Sequence, residues 1–147
     1  MDFMEEAARL AREGVERGAG GPFGAVVVHD GRIVAAACNR VLATNDPTAH
    51  AEILAIREAC RQRGAFHLEG CTIYTTCEPC PMCLAAIHWA RLDRVYYAQT
   101  KDDAARIGFP DRRLYEAMAT PQIPLERVPS AAAAEAFRLW QANPTPY

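Results

Sequence analysis

Two short segments of the sequence combine the residue types that bind a metal ion and move a proton. The first is Thr-Ala-His-Ala-Glu at 48–52, and the second is Cys-Glu-Pro-Cys-Pro-Met-Cys at 77–83. Cysteines three residues apart in the first turn of a helix lie on one face, where both can contact one ion. Thiolates at that position are also stabilised by the positive end of the helix dipole. His50, Cys80 and Cys83 would leave tetrahedral zinc with a vacant fourth position, which is typical of a catalytic site.

The choice between the two overlapping Cys-x-x-Cys pairs depends on where the second segment becomes helical. Cys77 is expected to end a strand, because Glu-Pro separates it from the helix, whereas Cys80 and Cys83 share the helix. We therefore predict that His50, Cys80 and Cys83 bind one Zn²⁺ per chain. Participation of Cys77 would instead give the cysteine-rich ligand set of a structural site.

Glu52 lies two residues beyond His50, too close to bind the same ion comfortably but well placed beside it. Zinc lowers the pKa of a bound water from about 15.7 to about 7, so that hydroxide is available at neutral pH. A neighbouring carboxylate can accept the proton of that water and deliver it to a leaving nitrogen. The pattern predicts hydrolytic attack on an unsaturated carbon that bears an amine.

Each of these features has a simpler interpretation when it is taken alone. A lone histidine is usually a core or surface residue, and a lone Cys-x-x-Cys can be half of a structural zinc site or a redox pair. A redox pair would normally follow a strand in a thioredoxin-like setting, and the His-x-Glu of the first segment would then have no role. The joint occurrence of these residues, in this order and each at a helix start, favours a catalytic metal site.

The elements that must position these residues follow from hydrophobic spacing and turn signals. Apolar residues from Phe3 to Val15 recur at helical spacing and end before a glycine-rich stretch. The sequence then predicts a hairpin with strands at 25–29 and 33–38 around Asp30-Gly31, and a helix at 51–63 with Thr48 as N-cap and Gly64 at its end. A strand at 72–75, a helix at 81–90 and a strand at 95–98 follow. Two further helices are predicted at 112–118 and 131–141. This order is typical of an α/β sandwich around one mixed sheet.

Length and composition limit the remaining classes of protein. The 147 residues fit one compact domain, and 50% of them are apolar and 23% charged. No apolar run approaches the roughly 18 residues of a membrane span, and the acidic start lacks the pattern of a secretory signal. We therefore expect a cytoplasmic protein without a membrane partner, whose six cysteines serve metal or redox chemistry. The net charge of −2, with scattered arginines, disfavours a nucleic-acid partner.

With these motifs, the sequence resembles the cytidine deaminase superfamily, whose members combine His-x-Glu with Pro-Cys-x-x-Cys. The similarity covers almost the whole chain, and four segments suit both its nucleobase branch and its tRNA-adenosine branch: 21–25, 39–40, 45–52 and 77–83. Other residues are similar to the bacterial guanine deaminases: Ile-His-Trp-Ala-Arg at 87–91, Asp-Asp-Ala-Ala at 102–105, Gly108-Phe109, Asp111, and a C-terminal helix with Phe137 and Trp140 that precedes Tyr147.

The resemblance implies a fold, a cofactor and a set of site residues. The fold is a three-layer α/β/α sandwich with a central mixed five-stranded sheet, formed by one cytidine-deaminase-like domain over residues 1–147. The resemblance assigns zinc to His50, Cys80 and Cys83, and proton transfer to Glu52. It also implies a set of residues that bind the base. Asn39 would form a hydrogen bond with the base, Phe23 would stack on it, and Trp89 would form a wall of the pocket. Asp111 and Tyr147 of the partner subunit would recognise the edge of guanine, and Ala51 would also contact the substrate. Guanine deaminases of this family exchange C-terminal segments, so a homodimer with residues from about 130 to 147 swapped is implied.

Three of these assignments have structural alternatives. Asp111 would accept a hydrogen bond from the N1–H of guanine, whereas adenine would oppose it with a second acceptor. It could also be a solvated loop charge or the N-cap before Arg112. Trp89 could pack in a helix core, and Phe23 could be a simple core residue.

The sequence as a whole predicts zinc-dependent hydrolysis of guanine to xanthine and ammonia. The alternative within this chemistry is another aminated base or nucleoside, such as guanosine, an aminotriazine, cytosine or adenosine in tRNA. Trp89 and the absence of a basic stripe count against tRNA. From a different class, the chain could be a zinc-stabilised interaction module. Glu52 beside His50 argues against such a module, because a structural site needs no general base.

Overall fold

The computed structural model describes residues 2–120 and 122–145, which fall into two compact units that meet in sequence at Arg112-Arg113. The first unit contains five helices and four strands: α1 (Phe3–Glu16), β1 (Gly24–His29), β2 (Arg32–Cys38), α2 (Val41–Thr44), α3 (Ala51–Arg63), β3 (Cys71–Cys77), α4 (Pro81–Trp89), β4 (Arg94–Gln99) and α5 (Lys101–Arg106). Two more helices follow, α6 (Arg112–Ala119) and α7 (Ala131–Ala142). The predicted order of elements is confirmed, with the short helices α2 and α5 in addition.

The sheet is mixed and has four strands in the order β2-β1-β3-β4. β1 pairs antiparallel with both β2 and β3, whereas β3 and β4 run parallel. The expectation of a fifth strand, which came from the resemblance, is wrong for the described residues. The chain enters α5 directly after β4, and the connection between α6 and α7 contains Pro124 and Pro129, which lack the N–H that a ladder requires.

Helices cover both faces of the sheet, and β1 shows this through its alternating side chains. Ala25 and Val27 belong to the core cluster that includes Ala55 of α3 and Ile87 of α4. Val26 and Val28 point the other way and pack with α1, which makes β1 a strand that is buried on both faces. The three-layer α/β/α arrangement is therefore confirmed.

Turn and cap residues fix the bounds of the hairpin and of α3. Asp30 and Gly31 have φ angles of 47° and 72°, the two positive values that a type I′ hairpin turn requires. α3 ends at Gly64, which has φ 64° and closes the helix as predicted. Its N-cap is His50 and not Thr48 as expected, because the Thr48 N–H and hydroxyl both donate to Asp46 in a turn before the helix.

The second unit differs from the first in having no core of its own. Ser130 caps α7 by accepting a hydrogen bond from the N–H of Ala133 at 3.1 Å. No residue in 113–120 or 122–145 is buried, although the segment is rich in exposed apolar side chains: Leu114, Tyr115, Met118, Ile123, Leu125, Val128, Phe137, Leu139 and Trp140. Throughout the described part of the chain, no helix is long and apolar enough to cross a bilayer.

Candidate metal centre

One histidine and two cysteines converge where α3 and α4 begin. His50 Nδ1 lies 3.6 Å from Cys80 Sγ and 3.4 Å from Cys83 Sγ. All three candidate ligand atoms lie within 4.8 Å of one another, and no fourth His, Cys, Asp or Glu of the described ranges joins the group. Cys83 is buried, whereas His50 and Cys80 are partly exposed. The structure therefore brings together the three ligands predicted from the sequence and leaves two of them accessible to solvent.

The donor atoms have the spacing that tetrahedral zinc requires. Zn–S and Zn–N bonds of about 2.3 Å and 2.0–2.1 Å at a tetrahedral angle place sulfur and nitrogen about 3.5 Å apart. The two observed S···N separations agree with that value. One imidazole and two thiols are also the ligand types that zinc prefers. The residues present therefore fit one zinc ion with one coordination position left open.

The fold brings these residues together by starting two helices at ligand positions. His50 and Cys80 are the N-caps of α3 and α4, each with extended backbone and neither with a side-chain capping bond. Pro81 at the first position of α4 fixes the helix start, and Cys83 follows in the first turn. Cys80 therefore precedes the helix that it was expected to share with Cys83, yet both sulfurs contact His50. The positive ends of both helix dipoles point toward the cluster.

The two thiols behave as a coupled pair. A hydrogen bond from Cys83, together with one from His50, lowers the pKa of Cys80 to about 4. The same contact and burial raise the pKa of Cys83, because a second negative charge beside the first is unfavourable. The hydrogen bond with Cys80 raises the pKa of His50. One thiolate is thus stabilised without an ion, and a divalent cation would offset the charge of the second.

Cys77 lies close to the centre but outside the ligand group. It ends β3, as predicted, and its Sγ is 3.7 Å from the carbonyl oxygen of Thr100. Burial and several carboxylates nearby, the first of them Glu52, raise the pKa of the Cys77 thiol to about 11. The Cys77 sulfur faces this carbonyl oxygen and does not belong to the group of mutually close donor atoms. The geometry therefore favours Cys83 over Cys77 as the second cysteine.

Glu52 is a buried carboxylate in the first turn of α3, with 7% of its surface exposed. It interacts with the Cys83 thiol and with His50, so it lies beside the ligand group. Burial raises the pKa of the Glu52 carboxyl and so increases its affinity for a proton. A buried carboxylate next to an open metal position can assist hydrolysis by accepting a proton from the attacking water.

Sequence comparison agrees with this geometry. Residues 1–99 match the family described as the cytidine and deoxycytidylate deaminase zinc-binding region. The chain belongs to this deaminase family. A guanine deaminase of Bacillus subtilis is 49% identical over 143 residues, covering 95% of this chain and 92% of the relative. A tRNA-specific adenosine deaminase of Aquifex aeolicus is 45% identical over 96 residues, covering 65% of this chain and 63% of its own length.

A solved structure extends the similarity to the whole fold. The X-ray structure of guanine deaminase from Bacillus subtilis superposes with a TM-score of 0.93 at 48% identity, covering 99% of this chain and 96% of that one. The enzyme is therefore a zinc-dependent member of the deaminase family with the cytidine-deaminase-like fold.

An aromatic pair lies at the start of β1 in this deaminase. Phe23 is half-buried, and its ring meets that of Phe109 edge to face with centroids 5.0 Å apart. A Cβ at Gly21 would lie 2.8 Å from Phe23 and 3.0 Å from Phe109, so only glycine allows both rings to occupy these positions. Phe109 entered the sequence analysis only through the resemblance and had no assigned role in the site, because no spacing signal connects residues so distant in the chain. The structure makes it the partner of Phe23.

Asn39 is buried next to the same segment. Its N–H donates to the carbonyl oxygen of Phe23 at 3.0 Å, and its side-chain Oδ1 accepts from the N–H of Val41 at 3.0 Å. A Cβ at Gly20 would lie 2.1 Å from that oxygen, so the loop before β1 packs directly on the amide. With Oδ1 already used, the Nδ2 amide is the part of Asn39 that can donate to a ligand.

The remaining predicted site residues differ in their surroundings. Asp111 is half-buried and lies close enough to Cys77 to raise the pKa of that thiol. Ala51 is fully buried in the core cluster. Trp89 ends α4 with 67% of its surface exposed in the single chain. Tyr147 lies outside the described residues.

Proposed function

We propose that this enzyme hydrolyses guanine to xanthine and ammonia. The observation that carries the proposal is the buried Glu52 carboxylate beside a three-ligand centre with an open position. The similarity to a guanine deaminase over 95% of the chain, against 65% for a tRNA-specific adenosine deaminase, supports guanine as the substrate.

The proposed mechanism assigns the proton transfers to Glu52. When bound by His50, Cys80 and Cys83, zinc supplies a Lewis acid that makes a water molecule acidic at neutral pH. The Glu52 carboxylate accepts a proton from the attacking water as its oxygen bonds to C2 of guanine. Glu52 then donates that proton to the 2-amino nitrogen, and the C2–N bond breaks with release of ammonia. One water is consumed: one of its protons leaves in ammonia, and its oxygen and other proton remain in xanthine, with that proton on a ring nitrogen.

Base recognition is proposed for Phe23, Asn39, Ala51 and Asp111. Phe23, supported edge-on by Phe109, would stack on the ring of guanine. The Nδ2 amide of Asn39 would donate to an acceptor of the base, and Ala51, next to His50 at the start of α3, would border the base. Asp111 would accept from the N1–H of guanine, and adenine would leave this carboxylate opposed to a second acceptor.

A homodimer is proposed from the exposed apolar side chains of the second unit. Phe137 and Trp140 are three residues apart on α7, so they share one face of the helix. Contiguous apolar surface of this kind on a chain that lacks a local core usually belongs to an interface. We infer that the segment from about 130 onward packs on a second copy of the chain. Exchange of this segment and the supply of Tyr147 by the partner subunit belong to the same proposal. Trp89, at the end of α4, would form a wall of the base pocket. We also infer that residues 1–147 act as one domain.

The test is a panel of free bases and nucleosides scored for ammonia, with and without a chelator. We expect ammonia from guanine, a loss of release with the chelator, and recovery when Zn²⁺ is restored. Guanosine, cytosine and an aminotriazine measure the breadth of the site. A gel-shift with tRNA tests the polymeric alternative, which the net charge of −2 disfavours. Zinc retention without ammonia from any substrate would overturn the proposal and favour a zinc-stabilised interaction module. A cytoplasmic location stays a prediction.

A further inference from the structure

A hydrogen-bonded junction connects the loop between β3 and α4, which carries Cys80, to the chain that follows β4. The Glu78 N–H donates to the carbonyl oxygen of Gln99 at 2.8 Å. In return, the Lys101 N–H donates to Glu78 Oε1 at 3.2 Å. We call these two contacts the Glu78 junction. It forms at the carboxyl ends of two parallel strands, where Cys77 pairs with Gln99 in the last register position.

The second contact supplies a side-chain acceptor for the first N–H of α5. Lys101 is the first residue of α5, so its N–H has no acceptor within the helix. The Thr100 side chain accepts from Asp103 N–H, two positions further along, and Asp103 returns a bond to Thr100 N–H. The capping box does not use the Lys101 N–H, which donates to Glu78 instead. The Glu78 carboxylate therefore connects the start of α5 to the loop between β3 and α4.

The far end of α5 is connected to Phe109 and precedes Asp111, the residue proposed to recognise the edge of guanine. The Ala104 carbonyl oxygen accepts from the Phe109 N–H at 3.0 Å, so Phe109 is hydrogen-bonded to the body of α5. Its ring then meets Phe23 edge to face. Asp111 follows two residues later and approaches Cys77. A displacement of α5 would therefore move Phe109 and Asp111 relative to the centre.

We propose that Glu78 is a positioning residue that keeps Phe109 and Asp111 in place relative to the metal centre. It needs no contact with the substrate or the ion to do so. The loop that supplies Cys80 and the segment that would read the base are distant in sequence, and the Glu78 side chain joins them. The inference rests on the proposed function for its effect on guanine, but not for its effect on the structure of residues 100–111.

The first test compares two substitutions at Glu78. Glu78→Ala removes the acceptor, and we expect KM for guanine to rise about tenfold with a smaller change in kcat, as for one lost hydrogen bond to a charged group. Zinc content by elemental analysis should stay at one per chain. Glu78→Gln keeps an oxygen acceptor and should recover most of the KM. Loss of zinc in the alanine variant would overturn the inference, because Glu78 would then serve the ligands themselves.

The second test removes the same contact from the other side. Proline is compatible with the first position of a helix and lacks the N–H, so Lys101→Pro deletes the donor while keeping the helix start. Lys101→Ala is the matched control, since it shortens the side chain but keeps the N–H. We expect Lys101→Pro to raise KM as Glu78→Ala does, and Lys101→Ala to leave it unchanged. The double variant Glu78→Ala with Lys101→Pro should be no worse than either single variant. Equal KM values for the two Lys101 variants, or additive effects, would overturn the inference.

A readout without substrate separates this inference from the proposed function. Hydrogen–deuterium exchange in the peptide covering residues 100–111 should speed up in Glu78→Ala and Lys101→Pro, and a peptide from α1 should be unchanged. Unchanged exchange in residues 100–111 would refute the junction even if guanine is the substrate. Faster exchange in an enzyme that releases no ammonia from guanine would support the junction and reject the substrate.

Discussion

The two units of this chain achieve order by different means. In the first, a strand that is buried on both faces anchors helices on each side, and the atoms of the metal centre are set by the first turns of two of those helices. In the second, α6 and α7 have local hydrogen bonds and an exposed apolar surface, with no buried residue in 113–120 or 122–145. The candidate metal ligands all belong to the unit with a buried core, whereas the described residues of the other unit leave their large apolar side chains exposed.

The largest effect is expected from Cys83→Ala in the first unit. Loss of a buried ligand should lower zinc affinity by more than the roughly 10–100-fold that changes around the ligands cost. Ammonia release should fall to background. Elemental analysis of the dialysed protein measures the zinc, and Cys77→Ala is the matched control, which should keep one ion per chain. Full zinc occupancy in Cys83→Ala together with loss in the control would reverse the ligand assignment.

Glu52→Gln should affect the reaction without affecting the metal. We expect kcat to fall by about 10²–10⁴-fold, the usual contribution of a general acid–base group, because the amide cannot accept and return the proton. Steady-state rates and zinc content, measured on the same preparation, check this. Glu58→Gln on the same helix is the control and should keep the wild-type rate. A Glu52→Gln enzyme of normal rate would remove this carboxylate from the mechanism.

The second unit is tested by Phe137→Ser combined with Trp140→Ser. Buried aromatic anchors of an interface commonly cost about 2 kcal/mol or more each when they are lost, so the proposed dimer should dissociate at micromolar concentration. Light scattering after size-exclusion chromatography measures the mass, and zinc content should not change. Arg138→Ala, on the same helix, should leave the mass as it is. If the double variant stays dimeric, α7 does not supply the interface, and the proposed role of the second unit is wrong.

The smallest expected effect is the pH dependence of an ion pair on the surface of the first unit. Hydrogen bonds from Arg61 and Gln62 lower the pKa of Glu58 to about 2. A carboxyl with a lowered pKa in the folded state stabilises the protein above its unfolded value near 4.5, and this stabilisation is lost as pH falls toward 2. Glu58→Gln should therefore be slightly less stable than wild type at pH 7 in urea titrations. This difference in the free energy of unfolding should shrink as the pH falls from 4.5 toward 2. A difference in the free energy of unfolding that does not change with pH would show that the Glu58 charge does not stabilise the fold.

The sequence alone predicted the first unit well because its signals are local. Hydrophobic spacing and a C-terminal glycine were enough to give the bounds of α3, and Asp30-Gly31 predicted the hairpin turn. The ligand set followed from the spacing of His50, Cys80 and Cys83. Thr48 failed as an N-cap since Asp46 engages it, and the true N-cap is a ligand residue whose cap position no propensity rule favours.

Features that depend on distant pairings could not be read from local patterns. The number of strands depends on whether the chain after β4 returns to the sheet, and the fifth strand was expected from resemblance and not from any β pattern. α5 is only one and a half turns long, too short to show periodicity. The contact of Phe109 with Phe23 and that of Glu78 with Lys101 each join residues far apart in sequence. They became visible only once the strands were paired.

The position of His50 and Cys80 at the beginnings of two helices links the order of those helices to the presence of the metal ion. A residue that binds an ion with its side chain cannot use that side chain to accept the free amides of the helix behind it, and neither does so here. Cofactor loading and helix fraying are therefore coupled. Chelation should loosen the leading ends of α3 and α4 in concert, and reloading should tighten both at once, so that metal content sets local order as well as turnover.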